Sequence, residues 1–185
     1  MKRQNKLLFC MEYTFWNMLF RHKEGIVFLQ KDSSRHYGNI PCVHAALGQS
    51  VRNMIIYDRE QKPVNALRLA RARVLVQDQG SQMVSNLRKS SGTLVVQLWH
   101  SGGWYKKVGY DAPRPGYAWE SERKRIHHIH GHTDYMVISY AKLVASYARA
   151  FHLRVFRRLM NFGAIEASIP RKQRTCVACA NPHSM

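Results

Sequence analysis

A run of histidines in the second half of the chain could hold a metal ion. His128, His130, His132 and Asp134 alternate with other residues, and a β-strand would place all of them on one face, because side chains alternate along a strand. Imidazole and carboxylate groups are zinc ligands. One hypothesis is therefore a zinc-dependent enzyme acting on nucleic acid. The other acidic residues are scattered singly, however, and nothing in the sequence completes a two-metal site.

A second set of metal ligands lies near the C-terminus. Cys176 and Cys179 form a Cys-x-x-Cys pair, and His183 follows four residues later. This spacing is typical of structural zinc, and a fourth ligand could come from Cys42, His44 or a partner. The alternative is a pair of free thiols in an irregular tail. Structural zinc is the only cofactor that the sequence predicts.

Aromatic and cationic side chains are mixed between Trp99 and Arg125. Three of the four tryptophans fall in this segment, interleaved with tyrosine, lysine and arginine. Single-stranded nucleic acid is bound by such chemistry, since bases stack on aromatic faces while cations contact phosphates. The alternative is that the tryptophans belong to the core and the cations are merely solvated.

The net charge favours a polyanionic partner. The chain has 29 Lys and Arg against 11 Asp and Glu, a formal charge of +18, which repels itself in a compact fold. The cations recur along the whole chain, so contact with RNA on several faces is expected. The residues predicted to contact RNA are Arg68, Arg71, Arg73, Trp104, Lys106, Lys107, Arg114, Arg123, Lys124, Arg125, His128, His130, Arg149, Arg154, Arg157, Arg158, Arg171, Lys172 and Arg174.

The elements that would position these residues indicate an α+β fold. Apolar spacing predicts a first helix, a strand over 25–30 and a helix over 43–57. A further helix is expected from Pro63 to about Gln77 or, past Gly80, to Leu87, and a β-hairpin over about 93–110. A long basic helix is expected over about 135–162, because apolar residues recur there without any acid. We expect one small domain with extended termini.

Three segments are predicted along the chain. Residues 1–24 form a basic amphipathic segment, either a targeting sequence or a first core helix. Residues 25–169 form a single α+β RNA-binding domain, and residues 170–185 form a basic tail that contains cysteines. No apolar run reaches the roughly 20 residues that cross a bilayer.

No catalytic fingerprint is present, which favours a non-enzymatic protein. The function predicted from the sequence is a structural RNA-binding subunit of a ribonucleoprotein, most concretely a mitochondrial ribosomal protein, with rRNA and neighbouring proteins as partners. A cytoplasmic location is the alternative to the mitochondrion. Two other functions stay open: the zinc-dependent enzyme, and an accessory subunit of a membrane-associated complex whose residues 7–20 lie in the lipid interface.

Overall fold

A computed structural model describes residues 3–31, 39–48, 52–57, 62–98, 107–112, 117–138, 143–152 and 159–161. For residues 3–5, 117–118 and 159–161 only the backbone is described. Within these ranges the chain forms a parallel β-sheet with helices on its faces.

The sheet has six strands in the order β2-β1-β3-β4-β5-β6. Every strand pair is parallel, and β1 lies between β2 and β3. The strands are β1 Ile26–Gln30, β2 Asn53–Tyr57, β3 Val74–Gln77, β4 Leu94–Gln97, β5 Tyr135–Ile138 and β6 Leu159–Asn161.

The strands form where the sequence is apolar without interruption. β1 reads Ile-Val-Phe-Leu-Gln, β3 reads Val-Leu-Val-Gln and β4 reads Leu-Val-Val-Gln. Continuous apolar runs of this kind are typical of parallel strands, because helices cover both faces of a parallel sheet. The three runs are adjacent in the sheet, with Leu29, Gln77 and Gln97 in register.

The helices connect the strands and pack on the sheet. They are α1 Arg3–Leu19, α2 Asn39–Leu47, α3 Pro63–Arg71, α4 Gln82–Ser85, α5 Tyr117–His130 and α6 Val144–Ala150, with a short 3-10 helix at Gly109–Asp111. Pro63 occupies the first turn of α3, where its missing N–H has no helical partner to lose.

The core has apolar clusters on both faces of the sheet. Phe9 and Tyr13 of α1 pack with Leu69 of α3 against Leu75 and Val95 on one face. The opposite face carries a second cluster that includes Phe28, Ile40, Val76, Leu98 and Val137. Around β5 and α6, a third cluster contains Met136, Ile138, Tyr147, Ala150 and Phe151.

The predicted class α+β is therefore corrected to α/β. The long basic helix over 135–162 is wrong: this part of the chain contains β5, the short α6 and β6. The β-hairpin over 93–110 is also wrong. β4 pairs in parallel with β3 and β5, residues 107–112 contain a 3-10 helix, and residues 99–106 lie outside the described ranges.

Two predicted helices are too long at their C-terminal ends. α2 ends at Leu47 and the chain then enters β2, while α3 ends at Arg71 and is followed by β3. Gly48 after α2 has a φ of 56°, a left-handed conformation that glycine adopts readily at helix ends. The strand predicted over 25–30 is confirmed as β1. The domain boundaries at residues 24 and 170 stay predictions.

Candidate functional site

The sheet order places a topological switch point at the carboxyl ends of β1 and β3. From β1 the chain first crosses to β2 on one side, and then returns to β3 on the other side. In open α/β sheets, ligands bind outside the carboxyl ends of the strands at such a switch point. Gln30 ends β1 at this edge and Lys31 follows it, while residues 78–81 follow β3. The segments 32–38, 99–106 and 139–142, which follow β1, β4 and β5, are outside the described residues.

A buried carboxamide network lies at the carboxyl ends of β3 and β4. Gln97 is fully buried, and its Oε1 accepts hydrogen bonds from Gln77 Nε2 at 3.4 Å and Thr133 Oγ1 at 3.4 Å. His130 Nδ1 lies 3.1 Å from the same oxygen. Gln97 Nε2 is buried without a hydrogen-bond partner in the part of the chain that the structure describes. The network joins β3, β4, α5 and the turn after α5.

The loop after β3 is held closely against α5. Ser81 donates its backbone N–H to Gln77 Oε1 at 3.2 Å, and its Oγ accepts from the backbone N–H of Val84 at 3.1 Å, which caps α4. A Cβ placed on Gly80 would lie 1.9 Å from Ile129 Cγ2. Only glycine allows this approach between the loop and α5.

The alternating histidines do not form a metal site. His128 and His130 lie on α5 and not on a strand. In a helix, residues two positions apart point to roughly opposite sides. His128 Nε2 is 3.2 Å from Asn86 Oδ1, whereas the His130 ring lies against Phe151 at 4.7 Å. The described residues contain no cluster of three or more His, Cys, Asp or Glu suited to a metal ion. Burial lowers the pKa of His132.

The predicted RNA contacts are not brought to one place. Those that the structure describes lie on α3, before β3, beside the 3-10 helix, and on α5 and α6. The exposed members are Arg68, Arg71, Arg73, Lys107, Arg123, Lys124, Arg125, His128 and Arg149.

Several of these cations already pair with a carboxylate of the same chain. Arg149 Nη2 is 2.7 Å from Asp111 Oδ2, and this hydrogen-bonded guanidinium lowers the pKa of Asp111. Arg125 Nε donates to Glu122 at 2.7 Å, and the hydrogen bond raises the pKa of Arg125. The count of 29 Lys and Arg therefore overstates the number of cations that are open to a partner.

Other predicted site residues lie outside the described ranges. They are Trp104, Lys106, Arg114, Arg154, Arg157, Arg158, Arg171, Lys172, Arg174 and the zinc ligands Cys176, Cys179 and His183. Structural zinc and mitochondrial localisation stay predictions.

Sequence reasoning overlooked the glutamines at the strand ends. A signal for them is present, because three short apolar runs in the sequence each end in glutamine, at Gln30, Gln77 and Gln97. A polar residue that closes a buried strand lies at the edge where α/β proteins bind ligands.

The helix α1 has apolar side chains on its outer side as well as in the core. Leu7, Met11, Phe15 and Met18 are exposed, and Met18 reaches 74%. None of the helices within the described ranges is long and apolar enough to cross a membrane.

The parallel sheet with a switch point in its strand order defines an open α/β protein. Within this class, residues 20–164 match the family described as CDP-Glycerol:Poly(glycerophosphate) glycerophosphotransferase. The match covers most of the 185 residues, and the chain belongs to this family.

Two named proteins resemble the chain. The teichoic acid ribitol-phosphate primase of Bacillus spizizenii is 32% identical over 85 residues, which is 46% of this chain and 22% of the primase. One structure of the wall teichoic acid polymerase TagF has a TM-score of 0.67 at 13% identity and covers 85% of this chain and 44% of TagF. A second TagF structure has a TM-score of 0.67 at 12% identity, over 94% and 52% of the two chains.

The likeness to TagF concerns the fold, and the chain spans about half the length of the TagF structures. The family match corrects the function predicted from the sequence. A ribosomal RNA-binding subunit, an accessory subunit and a zinc-dependent nucleic-acid enzyme are wrong as functions, and so are rRNA and a ribonucleoprotein as partners. The prediction of a non-enzymatic protein is also wrong, because the family and its relatives are transferases and polymerases. A surplus of cations indicates a polyanion without identifying which one.

Proposed function

We propose that the protein transfers glycerol phosphate from CDP-glycerol to the end of a poly(glycerophosphate) chain. The observation that carries the proposal is the family match over residues 20–164. The parallel sheet with its switch point supports it, because a nucleotide-activated donor fits the kind of crevice that this topology creates.

The reaction is a phosphoryl transfer. A terminal hydroxyl of the acceptor attacks the phosphorus that carries glycerol, and a new P–O bond forms. The P–O bond of the pyrophosphate then breaks and CMP leaves, while a base accepts the proton of the hydroxyl. Positioning and positive charge are what a protein contributes to such a step.

The crevice at the carboxyl ends of β1 and β3 is where we place this chemistry. Lys31 follows β1 at this edge and is exposed, so its ammonium group is available to a phosphate. The carboxamide network behind the edge fixes the ends of β3 and β4 through Gln77 and Gln97. A rigid edge is needed, since small displacements of reacting groups slow a reaction strongly.

The charge of the chain supports an anionic acceptor. Poly(glycerophosphate) carries one negative charge for each phosphodiester, and a protein with a net charge of +18 attracts such a polymer. We therefore propose that the polyanionic partner expected from the sequence is this polymer, which has phosphates but no bases.

Transfer by the protein, isolated as its host makes it, tests the proposal. CDP-glycerol and an acceptor ending in glycerophosphate are supplied, and both CMP release and growth of the acceptor are measured by chromatography and mass spectrometry. We expect one CMP for each glycerol phosphate unit added to the acceptor. Absence of both, under conditions in which a TagF polymerase is active, would contradict the proposal.

A second donor defines the specificity. The primase relative is named for ribitol phosphate, whereas the family description names glycerol. CDP-ribitol is therefore supplied in a parallel reaction. We expect transfer from CDP-glycerol to be faster than transfer from CDP-ribitol. Transfer from CDP-ribitol alone would show that the proposed donor is wrong.

A further inference from the structure

The amino-terminal edge of the sheet, opposite the proposed crevice, carries a cluster of cations. Lys23 and Glu24 precede β1, Arg52 precedes β2, and Arg71 and Arg73 precede β3. These three strands are neighbours in the sheet. We call this set, together with Arg21, the basic edge.

One carboxylate organises two of the arginines. Glu24 Oε1 accepts hydrogen bonds from Arg52 Nη1 and from Arg71 Nη2, the latter at 2.6 Å. The Arg71 guanidinium also lies 5.2 Å from the centre of the Phe20 ring, which favours a fixed position. Two guanidinium groups on one oxygen keep a net positive charge, and both have further N–H groups.

The backbone brings these residues together. Glu24 donates its N–H to the carbonyl of Arg71 at 2.9 Å, and Ile26 donates to the carbonyl of Arg52 at 2.9 Å. Gly25 between them has a φ of 73°, and a Cβ there would lie 2.8 Å from the Arg52 carbonyl oxygen. A side chain at this position would push Arg52 away.

Arg73 and Lys23 of the edge are held by neutral groups. Arg73 Nη1 donates to the carbonyl of Gly92 at 2.7 Å, and Lys23 Nζ donates to Asn17 Oδ1 at 2.6 Å. Neither contact cancels charge. Five cations against the single acid Glu24 leave four positive charges in the described part of the edge.

The basic edge is open to solvent. The side chains of Arg52 and Arg71 are 67% and 44% exposed, and Arg21 and Arg73 are exposed as well. The backbones of β2 and β3 flank β1, so Arg52 and Arg73 start strands about 10 Å apart. Two or more phosphates of one flexible chain can be contacted across this distance.

We propose that the basic edge is a second binding site for the acceptor polymer, remote from the crevice where its end reacts. This inference rests on the proposed function, which supplies the polymer. Poly(glycerophosphate) fits because it presents phosphates at regular intervals, each able to accept from a guanidinium group. Binding of an inner part of the polymer keeps its end at a high local concentration between additions.

Binding of a labelled poly(glycerophosphate) oligomer, followed by fluorescence anisotropy at low ionic strength and without donor, tests the basic edge. The variant Arg52→Gln with Arg73→Gln removes two charges from the edge. The control Arg123→Gln with Lys124→Gln removes two charges from α5. We expect the edge variant to bind about tenfold more weakly, and the control to change less than about twofold.

Conservative variants keep the test decisive if the glutamine variant folds poorly. Arg52→Lys with Arg73→Lys retains both charges and should keep most of the affinity, as a contact with phosphates requires. Circular dichroism verifies the fold of each protein. Equal weakening in the edge and control variants would overturn the proposal, because only the general field of the protein would then be acting.

Vesicles containing phosphatidylglycerol provide the second probe. If vesicles bind through Arg52 and Arg73 while the oligomer does not, the edge contacts lipid and the proposal is wrong. Transfer to an acceptor with a single glycerophosphate unit is measured separately, because it needs no inner polymer. If the edge variant still transfers to this short acceptor but binds the oligomer more weakly, the second site is supported. If the unaltered protein does not transfer at all, the proposed function is contradicted, whatever the result of the binding measurement.

Discussion

Replacement of Gln97 by leucine tests whether the carboxamide network holds the carboxyl ends of β3 and β4. Gln97 has no exposed surface, so water cannot take over the role of its Oε1. The substitution leaves the groups around that oxygen, on Gln77, His130 and Thr133, without this acceptor. Leucine has a similar volume, so the main change is the loss of hydrogen bonds.

The expected loss of stability follows from those contacts. Gln77 Nε2 becomes a buried donor without this acceptor, which costs about 1–3 kcal/mol. Loss of the hydrogen bonds to Thr133 and to the half-buried His130 costs about 0.5–1.5 kcal/mol each. Removal of the unpartnered Nε2 of Gln97 offsets part of this loss by about 1–3 kcal/mol. We expect a net destabilisation of about 2 kcal/mol.

Urea unfolding followed by circular dichroism measures the effect. With a slope of about 2 kcal/mol/M, the midpoint should fall by about 1 M. The control Thr133→Val removes one long hydrogen bond at 3.4 Å and should lower the midpoint by well under half of that. A Gln97→Leu protein as stable as the unaltered one would refute the reasoning.

Three further results are expected. Gly80→Ala should lower stability by about 1–3 kcal/mol in thermal unfolding, because the new Cβ would lie 1.9 Å from Ile129 Cγ2; an unchanged midpoint would contradict the close approach. Burial lowers the pKa of His132 from 6.5, so the unfolded state takes up a proton first and stability falls as pH decreases below about 6.5. Urea titrations at pH 7 and pH 5 should show a smaller loss of stability for His132→Gln than for the unaltered protein. An equal loss in the two proteins would be evidence against this effect. The hydrogen bond from Arg149 lowers the pKa of Asp111 from 3.8. The contribution of this pair to stability is therefore present above about pH 4 and disappears as pH falls through the lowered pKa. The NMR resonance of the Asp111 carboxyl should titrate at higher pH in Arg149→Gln, and an unshifted titration would be inconsistent with the pair.

The sequence was sufficient for the elements whose signals are local. β1 was found from a short apolar run between polar segments, and the start of α3 from Pro63. For Val74–Gln77 the sequence predicts the end of a helix, because a run of only four residues fits both the helical and the strand periodicity. The same ambiguity joined β5 and α6 into one helix. Only the pairing with neighbouring strands decides such short runs.

The parallel sheet could not be deduced from turn signals. Gly102 and Gly103 follow an apolar run and suggest a hairpin, whereas parallel strands are joined by long crossovers that leave no local signature. The carboxamide network could not be predicted for the same reason, because Gln77 and Gln97 become neighbours only through the register of β3 and β4. Charge composition indicated a polyanion but contained no information about its chemistry.

The position of β1 between β2 and β3 has a consequence during synthesis. Ribosomes release the N-terminal part first, so β1 leaves before either of the strands that flank it in the finished sheet. β2 can cover one side early, but the other side waits until residues 74–77 have emerged. In that interval a Val- and Phe-containing strand exposes unsatisfied amide and carbonyl groups, which is the condition under which nascent polypeptides aggregate. Production of the protein is therefore expected to benefit from slow translation at low temperature or from chaperones that shield extended apolar segments.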